Sequence, residues 1–321
     1  MKSALASLLL IFVLARPSFP QEIKVREDAV HLLERADLVS SSPKLPNLER
    51  IDTFRVIADA GVQDGSFSRT VIQGVGRREE FVLGSYHLTN VSTEKQVAAS
   101  GTPGMLPSDL RTVLRITPID RLRFDGEDVI HSIMDKDLGG LRARCIEFDT
   151  IKGQRTDHNE LCTDGETGVL VREQLGAELI ENSDFFSFAG ALFPSKIRYS
   201  DGARRIEIAQ SMTALESTVA NVLTAPADAQ IFKKCSTYRR PFGVSMPQPK
   251  AGNGGGDVDI LVGANIGTSG QVLETMIRGS ERADLNDEAL ALAKHWTFTP
   301  AMCDGHPDTE EVDFTLHFQG R

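Results

Sequence analysis

The feature that most constrains the fold is a succession of short β-type segments between residues 51 and 210. These runs are rich in β-branched and aromatic residues and are separated by Gly, Asn and Asp, as in IDTFRVIA (51–58), LRARCIEFD (141–149) and RRIEIAQ (204–210). Turn dipeptides such as Asp164-Gly165 favour antiparallel neighbours. Within residues 24–220, helices are predicted only at residues 26–38 and 106–114. Residues 24–220 are therefore predicted to form one large antiparallel sheet with a few helices.

A second pattern follows at the C-terminus. Residues 221–256 are rich in Pro and Gly, which predicts a linker before a domain at 257–321. In that domain, the strand VDILVG (258–263), a second strand from Gln271, a helix at 285–295 and the strand VDFTLHF (312–318) predict a ββαβ order. The last strand alternates strictly, so Asp313, Thr315 and His317 should face solvent.

The N-terminal residues are typical of a targeting segment. Lys2 precedes twelve apolar residues, Ala4 to Ala15, which is shorter than the roughly 20 residues that span a bilayer. Residues 1–20 are therefore predicted to be a signal peptide, and the remainder is expected in the periplasm or secreted. The alternative is an uncleaved inner-membrane anchor formed by residues 4–15.

Four cysteines in an exported chain favour two disulfides. Cys145 and Cys162 each lie about eight residues from a turn near Gly153-Gln154, so they should face each other across a hairpin. This pairing leaves Cys235 with Cys303.

Neither charge nor motifs indicate catalysis. The net charge of −10 argues against nucleic acid or an anionic membrane surface as the main partner. The chain has no GxSxG, HExxH or CxxC, and its histidines lack ligand spacing. We expect no catalytic residues, no metal site and no cofactor.

The C-terminal block resembles the TonB C-terminal domain family. The resemblance rests on VDILVG, Gly270-Gln271-Val272, the helix start LNDEAL (285–290), the WTFTPA exit (296–301) and the closing alternating strand. It implies that Leu285, Trp296 and Phe298 mark the core, with Leu285, Ala289, Leu292 and Trp296 on one helix stripe. Residues 24–220 resemble, more weakly, the LolA-type lipoprotein-carrier fold, through the first helix, the strands and GALFPSKI (190–197). The predicted fold class is thus α+β: a large curved antiparallel sheet, a LolA-like half-barrel, followed by a small ββαβ domain.

The TonB resemblance implies binding by strand addition, in which an extended peptide pairs with an exposed sheet edge. Because the spacer typical of TonB is replaced by a folded domain, we expect a non-enzymatic envelope protein that binds a partner protein or peptide along residues 312–318. Asp313, Thr315 and His317 are the candidate contact residues. The alternatives are a lipid or lipoprotein carrier using residues 24–220, and an anchored energy transducer for transport across the outer membrane.

Overall fold

The computed structural model describes residues 19–41, 46–116, 124, 126–152, 155–215, 220–249, 257–280 and 282–319. The expected signal or anchor segment, residues 1–20, lies outside the described residues apart from its last two. Within the described part of the chain, no helix is both long enough and apolar enough to span a membrane. The chain divides into two compact units, residues 1–43 with 119–202 and residues 44–118 with 203–321.

The first part of the chain is mostly β-structure. The helices are α1 (Phe19–Ser40) and α2 (Ser108–Ile116). The strands are β1 (Leu48–Ala58), β2 (Gly61–Ile72), β3 (Gly76–Leu83), β4 (Tyr86–Thr93), β5 (Gln96–Gly101), β6 (Asp128–Asp137), β7 (Arg142–Lys152), β8 (Arg155–Asp164), β9 (Leu170–Leu175), β10 (Glu178–Phe188), β11 (Ala191–Ser200) and β12 (Arg204–Ala214).

The described C-terminal part contains nine strands and one α-helix. The strands are β13 (Gln230–Lys233), β14 (Tyr238–Arg239), β15 (Phe242–Ser245), β16 (Val258–Ile266), β17 (Val272–Ser280), β18 (Thr297–Thr299), β19 (Ala301–Cys303), β20 (His306–Asp308) and β21 (Glu310–Phe318). The helix is α3 (Asn286–Ala293), preceded by a 3₁₀ turn at Ala283–Leu285.

Strands β1 to β13 belong to a large, open antiparallel sheet of thirteen strands. The predicted fold class, a large antiparallel sheet with helices followed by a small α+β module, is confirmed. In the first unit the strand order is β11-β10-β9-β8-β7-β6, and in the second it is β13-β5-β4-β3-β2-β1-β12.

In the first unit, α1 lies next to β6 and β11 and shares a buried cluster with residues of the strands between them. Ala29 and Leu33 of the helix contact a buried cluster of sheet residues that comprises Ile146, Phe148, Leu161 and Leu170. Their spacing of four places both helix residues on one stripe. The apolar surfaces of the helix and the sheet therefore cover each other.

The C-terminal module is a three-stranded sheet in the order β17-β16-β21, with α3 against one face. Alternate residues of β16 supply the core, and Ile260, Val262, Ala264 and Ile266 are all fully buried. Their β21 partners in register include Leu316 and Phe314. This period of two is the alternation visible in the sequence.

Several elements differ from the prediction. The helix expected at 285–295 is the shorter α3, Asn286–Ala293, so Trp296 lies beyond its end. The run REEFVLGSYHL (78–88), whose aromatic and β-branched residues predict one strand, instead forms β3 and β4 around Gly84, which has a φ of 57°. Strand β10 was not anticipated, because ENSDFF breaks the apolar alternation. Within residues 221–256, expected as a linker, β13, β14 and β15 pair with β5, β19 and β18. The predicted domain boundaries stay a prediction.

Candidate functional site

Trp296 lies at the centre of the C-terminal module, with 1% of its surface exposed. Its ring packs edge-on against Phe314 and Phe298, at centroid distances of 5.5 and 6.4 Å. The indole N–H donates a hydrogen bond to the carbonyl of Pro247 at 3.2 Å. Leu285 packs against the same cluster. The three residues proposed as core markers thus meet in one core. The segment after β15 contributes the carbonyl of Pro247 to it.

Strand β21 forms one edge of the module sheet. It pairs with β16 through nine consecutive residue pairs, from Val258–Phe318 to Ile266–Glu310, without a register shift. Among the described residues, no strand pairs with its other side. The opposite edge strand, β17, has two register shifts against β16. Because bulges twist an edge and disturb its ladder, β21 is the more regular template for an added strand.

Asp313, Thr315 and His317 are all exposed on the face of β21 that points away from Trp296. They differ in their surroundings. His317 Nδ1 lies 2.8 Å from Asp259 Oδ1, on the neighbouring strand. The hydrogen bond to Asp259 raises the pKa of His317 above its ordinary value, and Asp257 adds to the effect.

Asp313 belongs to an ion cluster that the sequence pattern did not reveal. Arg111 of α2 forms salt bridges with Glu311 and Asp313, and Arg278 of β17 contacts the same two carboxylates. The Arg278 side chain is only 3% exposed. Burial, followed by the neighbouring Arg111, lowers the pKa of Arg278 to about 10. Two cations therefore neutralise two acidic side chains on the outer face of the module.

The segment before α2 continues this contact. Leu106 accepts a hydrogen bond from Arg278 Nη1 at 2.6 Å, and the Met105 N–H donates to Glu274 at 3.3 Å. The Met105 side chain is buried over Gly263, where a Cβ would lie 2.9 Å from the methionine Cε. The face of the module opposite α3 is thus occupied by residues 105–111 at the end that carries Glu311, while His317 lies at the other end of β21.

Two disulfides are present, Cys145–Cys162 and Cys235–Cys303, the same pairs that the sequence indicates. Cys145 and Cys162 are directly opposed on β7 and β8. Cys235–Cys303 ties the segment between β13 and β14 to β19. Asp304 adds to that link, because its carboxylate accepts the N–H groups of Ser236 and Thr237 at 2.8 and 2.7 Å.

A polar groove in the first unit was also missed by sequence reasoning. A bulge between Ile130 and Ser132 places His131 near Asp149, with Nε2 2.9 Å from the carboxylate. His158 contacts the other oxygen of Asp149 at 2.5 Å. These contacts lower the pKa of Asp149. The groove encloses about 340 Å³ and is also lined by Glu147 and Glu160, but their sequence spacing carries no recognisable motif.

Comparisons with known proteins give matches over different parts of the chain. No curated protein matches it. Similar solved structures include a LolA superfamily protein from Nitrosomonas europaea (13% identity, TM-score 0.36, covering 60% of this chain and 96% of that one). A DUF1329 family protein from Desulfovibrio piger is similar at 12% identity and a TM-score of 0.40, covering 62% and 99%. The Pseudomonas aeruginosa MucA/MucB complex matches at 15% identity and a TM-score of 0.33, covering 88% and 99%.

Similarity at these scores carries no information on what this chain binds. The sequence match is more definite but shorter. Residues 254–319 match the family of Gram-negative bacterial TonB protein C-terminal domains. The matched residues include β16 to β21 and the predicted site on β21.

Proposed function

We propose that this protein acts in the cell envelope by binding, without catalysis, an extended segment of a partner protein along the free edge of β21. The regularity of that edge supports the proposal. Nine residues pair with β16 in unbroken register, so the N–H and C=O groups of alternate residues form a regular row on the other side of the strand. An extended peptide can pair with such a row along its whole length.

The side chains along β21 fit this use. Val312 and Phe314 are only partly buried at the sheet edge, so an added strand would cover apolar surface as well as form backbone hydrogen bonds. Arg111 and Arg278 neutralise Glu311 and Asp313, which reduces the charge that would otherwise repel an acidic segment. Exposed Thr315 and His317, the latter beside Asp259, could contact alternate side chains of the added strand.

The carrier alternative requires an apolar cavity that the protein does not fill by itself. In the described part of the first unit, Ala29 and Leu33 of α1 instead join one buried cluster with Ile146, Phe148, Leu161 and Leu170 of the sheet. No observation on the described residues favours lipid loading over peptide binding, and the anchored transducer depends on residues 4–15, which lie outside them.

A screen of random extended peptides against the purified chain would test the proposal. For a selected peptide, we expect backbone amides of residues 312–318 to become protected from hydrogen exchange, while those of β17 are unchanged. Thr315→Pro should abolish binding, because proline lacks the N–H and distorts the edge. Leu273→Pro, at the start of the irregular edge β17, is the matched control and should retain binding.

Emission from buried Trp296 establishes whether each variant is folded. Protection that maps to β17 alone, or a folded Thr315→Pro variant with unchanged affinity, would contradict strand addition at β21.

A further inference from the structure

The segment from β13 to β15 differs in charge from the rest of this acidic chain. Residues 229–256 contain five Lys or Arg and no Asp or Glu, whereas the whole chain has a net charge of −10. Four of these cations, Lys233, Lys234, Arg239 and Arg240, are described, and all four are exposed. Lys233 lies 3.6 Å from Asp304. The other three form no salt bridge with any described residue.

The same segment holds an unusual set of exposed apolar side chains. Among the described residues, the exposed Phe, Tyr and Trp side chains are Phe232, Tyr238 and Phe242, at 51%, 47% and 74%. Ile231 and Val244 are exposed to a similar degree, 57% and 66%. We call residues 231–244 the basic aromatic ribbon. Exposed aromatic residues interleaved with cations, three of which form no salt bridge with a described residue, mark an interaction surface rather than an ordinary solvated face.

The ribbon is held in place at several points. Strand β13 pairs with β5, β14 with β19, and β15 with β18. Between β13 and β14, the Cys235–Cys303 disulfide and the hydrogen bonds to Asp304 fix the chain. The side chains of the ribbon are therefore displayed from a paired and covalently linked backbone, so their exposure does not arise from a loose linker.

We propose that the basic aromatic ribbon binds the surface of a bilayer containing anionic phospholipids. Cations are attracted to the negative headgroup layer, and aromatic side chains settle at the boundary between headgroups and acyl chains. The aliphatic side chains of Ile231 and Val244 would also bury apolar surface at this boundary. A single-stranded nucleic acid also binds surfaces that combine cations with aromatic rings. It has no apolar layer, however, in which Ile231 and Val244 could be buried.

The overall acidity of the chain does not oppose this contact. At physiological ionic strength, charges separated by more than about 8 Å of solvent are largely screened. The four cations of the ribbon, set against the neighbouring carboxylates of Asp304, Asp308 and Glu310, therefore govern its approach to a surface. The net charge of −10 describes the average surface of the chain, whereas this segment carries a local excess of Lys and Arg.

Co-sedimentation of the full chain with lipid vesicles tests the proposal. We expect binding to vesicles of phosphatidylcholine with 30% phosphatidylglycerol, weakening with salt, and little binding to phosphatidylcholine alone. Arg239→Ser combined with Arg240→Ser should lower the partition coefficient about tenfold or more. Lys294→Ser combined with Leu273→Ser removes an exposed cation and an exposed apolar residue elsewhere and should leave binding unchanged.

A second measurement tests insertion of the aromatic residues. In a Phe242→Trp variant, acyl chains carrying bromine should quench the new indole, while Trp296, being 1% exposed, serves as the unquenched reference in the parent protein. Equal binding to neutral and anionic vesicles, an unchanged partition coefficient in the double-arginine variant, or binding without quenching would each overturn the proposal. A peptide that still protects β21 in the same variant would show that the edge-strand function is separate.

Discussion

Gly270 offers the sharpest test of how the C-terminal module is built. It lies in the turn between β16 and β17 with a φ of 81°, and its carbonyl accepts a hydrogen bond from Phe298 N–H at 2.8 Å. A Cβ at this position would lie 1.8 Å from the carbonyl oxygen of Phe298. Gly305 has nearly the same φ, 85°, but a Cβ there would meet nothing within 4 Å. Comparing an alanine substitution at Gly270 with one at Gly305 therefore separates the energetic cost of backbone strain from that of steric overlap.

The expected cost of each substitution follows from these two geometries. An alanine in the left-handed region costs about 1–2 kcal/mol, and its stiffer unfolded chain returns roughly 0.4–1 kcal/mol. Gly305→Ala should therefore destabilise the module by about 1 kcal/mol. Gly270→Ala must also displace the Phe298 backbone. That displacement loses a hydrogen bond worth about 1 kcal/mol and adds an overpacking cost of about 1–3 kcal/mol. The sum is about 3–5 kcal/mol.

Urea unfolding followed by Trp296 fluorescence measures both variants, because the single tryptophan of the chain reports on this module. We expect the midpoint of Gly270→Ala to fall several times further than that of Gly305→Ala, with similar slopes. Losses that agree within about 0.5 kcal/mol, the usual effect of an ordinary surface substitution, would refute the reasoning. The close approach of the turn to β18 would then not constrain the module.

Three further predictions concern charges and covalent links. Because Asp259 raises the pKa of His317, the pair stabilises the folded state below the ordinary pKa of 6.5, and this contribution is lost as pH rises through the raised value; Asp259→Asn should lower the His317 pKa measured by NMR. Replacing both Cys235 and Cys303 by Ser opens a loop of 68 residues and should lower stability by about 4 kcal/mol in denaturant titrations; no loss would contradict the chain-entropy account. Arg278→Met should destabilise by about 1–3 kcal/mol in the same titration, because Glu311 and Asp313 are 24% and 37% exposed and keep Arg111 as a partner, and a neutral result would show that Arg111 alone satisfies both carboxylates.

Local patterns in the sequence predicted the parts of the fold that depend on neighbouring residues. The alternation in residues 312–318 gave the buried and exposed faces of β21, and equal distances from a turn placed Cys145 opposite Cys162. Where polar residues interrupt the alternation of apolar residues, as in β10, the sequence gives no periodicity from which a strand could be predicted. Gly84 divides two strands for a related reason, since a single glycine within an apolar run also fits a continuous strand.

The surroundings of the site could not be predicted, because they depend on contacts between residues far apart in the chain. Arg111 and Asp313 are separated by 202 residues, and neither helix nor strand periodicity relates them. Once α2 is placed on the outer face of the module, the two ends of β21 become chemically different. Near Glu311 the charges are neutralised by Arg111 and Arg278, whereas near His317 they vary with pH. A peptide added along β21 would therefore meet a fixed ionic environment at one end and a titrating one at the other. We expect its affinity to depend on pH through contacts near residue 317, and Asp259→Asn should shift that dependence to lower pH while leaving protection near residue 312 unchanged.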